Sequence, residues 1–131
     1  YLIPHTSYFM IYRHIIHAGT GKTLLARARW CDTFASRLRG FTFRRHLADG
    51  EGLVLVEKED SRLNTSIHML FVFMPLGVVW VNDAGIVVHT VLAKPWRLSY
   101  IPAAPARYVI ETAPAILRHV RIGDTLTFVQ A

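Results

Sequence analysis

The sequence predicts an α+β domain, mainly antiparallel β, with a barrel-like or sandwich-like sheet and one short helix. Three observations carry that expectation. Apolar and β-branched runs recur at short intervals, as in "GLVLVE", "GVVWV", "GIVVHTVL", "RYVIET" and "TLTFV". Turn-forming residues separate them, among them Asn82-Asp83-Ala84-Gly85 and Gly123-Asp124. One stretch, "DTFASRLRG", carries the spacing and ends of a helix.

In chain order, "LLARARW" alternates, with Ala26, Ala28 and Trp30 on one face and Arg27 and Arg29 on the other. Period two predicts a half-buried strand whose arginines face solvent. Asp32 or Thr33 then caps a helix that pairs Phe34 with Leu38 at i, i+4, and Gly40 closes it. "LADGEG" is a turn, "GLVLVE" a buried strand and "KEDSRLNTS" a polar loop. Val78–Val81 and Ile86–Leu92 form a hairpin around the Asn82–Gly85 turn. "KPWRLSYIPAAPAR" holds three prolines and is irregular, and two further strands follow it. No linker or repeat divides the chain. Residues 1–19 read as an N-terminal extension and residues 20–131 as one globular domain.

The chain has 131 residues, 52% of them hydrophobic, and a formal charge of +6. Residues 1–50 hold eight Lys/Arg against two acids, and the remainder holds seven of each sign. The whole excess therefore lies in the first part. Such a surface attracts phosphate, nucleic acid or anionic lipid without sequence selectivity. The lone Cys31 leaves no internal disulfide. No run reaches the ~20 apolar residues of a membrane span, and the start lacks the pattern of a secretory signal. The expected address is the cytoplasm.

"HAGTGKT" imitates a phosphate-binding loop, but Ile16 stands where the loop's first glycine belongs, and no second magnesium motif follows. A nucleotide hydrolase is rejected on that spacing.

Five segments in order, "ASRLRGFTFRRHLADGEGLVLV", "SIHMLFVFMPLGVVWVNDAGIVV", "KPWR", "ARYVIETAPA" and "IGDTLTF", resemble the domain of unknown function 192 family over residues 24–130. The resemblance implies a compact, strand-rich α+β fold and supplies no reaction. Gly40, Phe43, Arg44, Gly52, Leu53, Ile67, His68, Pro75, Leu76, Asp83, Gly85, Pro95, Trp96, Arg97, Glu111, Gly123 and Asp124 match family positions. Met69 replaces a threonine, and Gly77 stands where the family usually has aspartate.

Two functions remain. The first is a non-catalytic module for an anionic small molecule, a polyanion such as non-specific nucleic acid, or an acidic partner. It would act through Arg37, Arg39, Arg44 and Arg45, with Trp96 and Arg97 as a second wall. Guanidinium groups fork two N–H bonds to one anion, and Phe41 and Phe43 offer stacking. The second is a small hydrolase-like enzyme with His68 as base, oriented by Asp83, Glu111 or Asp124. Glu111, in an alternating strand opposite Ile110, is expected to be exposed or paired with Arg44 or Arg97. His14 and His17 at i, i+3 lack a third ligand, so neither metal nor cofactor is expected. The absence of a nucleophile motif favours the first function.

Overall fold

The computed structural model describes residues 11–131. Seven strands form one curled half-barrel sheet: β1 (Tyr12–His17), β2 (Thr23–Cys31), β3 (Glu51–Ser61), β4 (Leu76–Val81), β5 (Val87–Ala93), β6 (Ala106–Thr112) and β7 (Leu126–Gln130). Among the described residues a single short helix, α1 (Phe34–Arg39), and a three-ten turn, Pro114–Arg118, complete it. The strand order is β5-β4-β6-β3-β2-β1-β7. Every neighbouring pair is antiparallel except β2 with β3, whose connection carries α1. The two edge strands approach each other at their starts, where Ile86 bridges Thr125 and Val87 N–H donates to the Asp124 carbonyl at 2.8 Å.

Local chemistry accounts for the elements. Thr33 and Ser36 form a reciprocal capping box at the start of α1, and Gly40 closes it at φ 44°. Asn82 Oδ1 accepts from the N–H groups of Ala84 and Ile86, and Gly85 takes φ 85° in the β4–β5 hairpin. The phosphate-loop mimic is the turn of another hairpin. His17 N–H donates to the Lys22 carbonyl, Gly21 N–H donates to the His17 carbonyl, and antiparallel β1 and β2 flank them.

Both sheet faces are buried, in different ways. The inner cluster draws on all seven strands, with Ile15, Leu25, Ala28, Val54, Val79, Val87, Ile110 and Leu126 among its members, and Ile116 and Val120 plug one end. The outer cluster draws on β2 to β6 and on the connections, through Phe41, Ile67, Met69, Val72 and Met74. The loop before β4 is tied down by Trp80, whose indole N–H donates to the Thr65 carbonyl at 2.7 Å.

Two sequence expectations about the sheet need correction, and the glycine at position 77 gains a physical reason. Tyr12–His17, read as part of an extension, is an interior strand between β2 and β7, and only residues 1–10 lie outside the described residues. Its apolar pair Ile15-Ile16 is flanked by Arg13, His14 and His17, which hid the alternation. Arg29 is half-buried on the outer side, because α1 folds over it and its guanidinium donates to the Gly40 carbonyl at 3.4 Å. Gly77 is inner: a Cβ there would lie 2.8 Å from Ile116 Cγ2 and 2.9 Å from the Ala113 carbonyl, so the three-ten turn occupies the space a side chain would need.

Candidate functional site

The outer face carries a cavity of about 380 Å³ between α1 with Gly40–Thr42 on one side and residues 64–68 with Val72 on the other. Strands place its floor. Val109 and Glu111 alternate with inward Ile110 on β6, and Glu111 sits between Leu53 of β3 and Val78 of β4 in the ladder. Its carboxyl lies under the glycine that closes α1, since a Cβ on Gly40 would stand 3.6 Å from Glu111 Oε1. Glu111 is only 6% exposed. No cation pairs with it among the described residues, and burial pushes its pKa up to about 7.

This overturns the expected exposed or ion-paired Glu111. Arg44 instead makes a bidentate pair with Glu51, at 2.9 and 2.7 Å, and Arg97 lies 5.5 Å from the Tyr100 ring. The Arg44 guanidinium holds the Glu51 carboxyl below its usual range.

His68 lines the same cavity as Glu111, and no hydrogen bond joins the two. Its Nδ1 accepts from Leu70 N–H at 3.2 Å, which in the neutral ring leaves the proton on Nε2. The other two carboxylates that sequence offered as orienting partners lie elsewhere. Asp83 binds Arg107 at 2.8 Å. Asp124 accepts from Arg121 N–H at 2.8 Å and binds His17 at 2.9 Å, contacts that in that order hold its carboxyl below the usual range. Cys31 is buried, and that burial pushes its thiol up, away from a reactive thiolate.

The arginines divide into two groups. Arg37 pairs with Glu57 at 2.8 Å and donates to the Asp32 and Val56 carbonyls, and Arg44 is held by Glu51. Among the described residues, Arg39, Arg45 and Arg97 have no acidic partner. Arg45 lies over the Phe73 ring at 4.6 Å.

A ring cluster joins two of the rings that sequence nominated, Phe43 and Trp96, to two that it did not, Phe71 and Phe73. Phe71 lies 5.3 Å from Phe43 and 5.1 Å from Trp96, and Trp96 lies 5.4 Å from Phe73. Phe43, Phe71 and Trp96 are exposed. They are also the non-glycine residues with positive φ among those described, at 67°, 59° and 68°. Bulky residues rarely adopt that region. Backbone bonds between three segments enforce it: Phe43 N–H to the Phe71 carbonyl at 2.7 Å, and Trp96 N–H to the Met69 carbonyl at 2.8 Å. Phe41, the other expected stacking ring, is buried in the outer core.

Comparison with known proteins places this geometry. The DUF192 family model, described as an uncharacterized ACR, matches residues 15–128. The UPF0127 protein of Thermococcus sibiricus is 32% identical over 114 residues, covering 86% of this chain and 72% of that protein. The UPF0127 protein of Pyrococcus horikoshii is 36% identical over 114 residues, covering 86% and 96%. Among solved structures, a Sinorhizobium meliloti 1021 protein named as a proposed transcription regulator superposes with a TM-score of 0.77 at 21% identity, covering 92% of this chain and 95% of that one. A Novosphingobium aromaticivorans protein of unknown function gives 0.71 at 18% identity, covering 97% and 91%. These two likenesses speak for the fold alone.

Proposed function

This chain belongs to the DUF192 family, and from that premise we propose that it is a non-catalytic binding module for an anionic ligand, single-stranded nucleic acid, held on its ring-and-arginine face. The observation that carries the reading is the cluster Phe43, Phe71, Phe73 and Trp96 beside Arg45 and Arg97. Exposed rings held against backbone preference, with guanidinium groups that no acid neutralises, match the two needs of a single strand. Bases stack on rings in any sequence, and phosphates take charge. Of the basic residues the sequence nominated, Arg39, Arg45 and Arg97 serve this role, whereas Arg37 and Arg44 are tied to Glu57 and Glu51.

The hydrolase alternative draws on the shared cavity of His68 and Glu111. It ranks second because no carboxylate orients the imidazole by a hydrogen bond and the only cysteine is buried.

The test is fluorescence anisotropy of a labelled oligo-dT strand across a salt series, with heparin as a polyanion that lacks bases. Gln at positions 39, 45 and 97 together should reduce the log–log salt slope by about 2, from roughly 0.7 per phosphate contact. Trp96→Ala should weaken the oligonucleotide about tenfold and leave heparin unchanged, since stacking contributes roughly 1–3 kcal/mol per base. Equal losses for both polyanions would reduce the face to a charge patch, and no binding at low salt would overturn the reading.

A further inference from the structure

The cavity adjoins the ring face. Thr42 and Val72 line it, and Phe43 and Phe71, the next residue and the preceding one in the chain, carry two of the exposed rings. Its volume of about 380 Å³ lies within the range of ligand sites, roughly 300–1,000 Å³. Phe34, Leu38, Phe41 and Val72 give it apolar surface, residues 64–66 and His68 give it a polar side, and the buried carboxyl of Glu111 forms its floor. A carboxylate without a cation is costly unless its oxygens accept hydrogen bonds. None is present within the described residues, so the partner that suits this floor is a ligand with N–H donors.

We propose that this cavity receives one base of the bound strand and selects guanine, whose N1–H and exocyclic N2–H donate to the two oxygens of Glu111. Guanine is the base whose Watson–Crick edge offers two adjacent N–H donors. Adenine and cytosine offer one amino group there, and thymine one imino group. Single strands are read on these edges, between apolar or aromatic walls. The inference rests on the single-strand reading of the neighbouring face.

The charged and titratable groups facing Glu111 are few. Arg29 and Cys31 come from β2, Arg37 and Arg39 from α1, Glu57 from β3 and His68 from the segment before β4. Arg37 and Glu57 neutralise each other. Accepting two N–H bonds requires an ionised carboxyl, so the guanine preference strengthens as pH rises through about 7, the value to which burial holds Glu111.

Three labelled strands test this on the full chain by anisotropy at about pH 6 and about pH 8. They are oligo-dT, oligo-dT with one central guanine, and the same strand with inosine, which lacks N2; the series is repeated with Glu111→Gln. The expected result is roughly tenfold tighter binding of the guanine strand at pH 8. That preference should shrink at pH 6, fall for inosine and vanish in a Glu111→Gln protein whose circular dichroism is unchanged. Salt-sensitive but equal binding of all strands at pH 8 would overturn the pocket and leave the face standing. If no strand binds, the face reading fails instead, and calorimetry with guanosine monophosphate decides the pocket alone: no heat, or heat retained in Glu111→Gln, overturns it.

Discussion

Ile110 and Glu111 are consecutive residues of β6, fully and almost fully buried, yet they belong to two kinds of interior. Ile110 points into the half-barrel, between Val54 and Val79, in a cluster to which every strand contributes. Glu111 points outward, between Leu53 and Val78, beneath a helix with no buried residue and beside a cavity. The inner face is closed mainly by packing, with the Thr112 hydroxyl donating to the Glu51 carbonyl at 2.7 Å and the Arg13 guanidinium, one nitrogen of it buried without a partner among the described residues, over the Trp30 ring. The outer face is covered by connections that leave room and a polar floor. Burial by itself does not distinguish structural side chains from working ones; what matters is whether the surroundings satisfy the side chain.

Substitution at these adjacent positions sharpens the contrast. Ile110→Ala removes methylenes from a site hemmed in by strands that cannot collapse, so it should cost about 3–4 kcal/mol. Urea denaturation should show a lower midpoint with an unchanged slope. A loss below about 1 kcal/mol would mean that the inner face relaxes as easily as the outer one. Glu111→Gln should act differently, through pH. Burial raises the folded-state carboxyl from its ordinary 4.5 to about 7, so the folded protein binds the extra proton. The stability penalty is absent below about pH 4.5, grows between there and pH 7, and is constant above. At roughly 1.4 kcal/mol per pH unit it amounts to about 3 kcal/mol, and Glu111→Gln should flatten that part of the stability curve. Glu51 and Asp124 have depressed values, so their contributions are present above the ordinary carboxylate range and fade on acidification. From about pH 5 upward the difference between wild type and Glu111→Gln, rather than either curve alone, isolates Glu111, because the chain's seven histidines are common to both. The same slope in wild type and Glu111→Gln would assign it to another group.

Sequence reading reached the features set by local chemistry and missed those set by distant neighbours. The Asn82–Gly85 hairpin and the Thr33–Gly40 helix depend on side-chain and backbone bonds within a few residues, so both were legible. The alternation "YVIET" placed Ile110 and Glu111 on opposite faces, as found, but the strand is covered on both sides, and alternation cannot tell which face meets solvent. The partner of Arg37 is Glu57, across the β2–β3 crossover, so the free and neutralised arginines were indistinguishable in the chain. Phe43 and Trp96 were nominated from the chain, but their meeting with Phe71 and Phe73 was not legible, because the positive φ at Phe43, Phe71 and Trp96 is imposed by bonds between separate segments, not by glycine.

The smallest expected effect tests the outer face most directly. Phe34 and Leu38 share a face of α1, as the i, i+4 spacing predicts, and an ordinary surface helix would bury them. Here they are 74% and 61% exposed and line the cavity mouth. The helix is held by its capping box and by Arg37, whose guanidinium reaches Glu57 and the Asp32 and Val56 carbonyls. Replacing Phe34 and Leu38 together by Ser should therefore change stability by no more than about 0.5 kcal/mol, as for ordinary surface positions. It should still weaken the guanine preference, because the pocket loses one apolar wall. A cost above about 2 kcal/mol would place these side chains in the core and make the cavity a packing gap. Neutral stability with lost selectivity would mean that α1 keeps its apolar face open for a ligand.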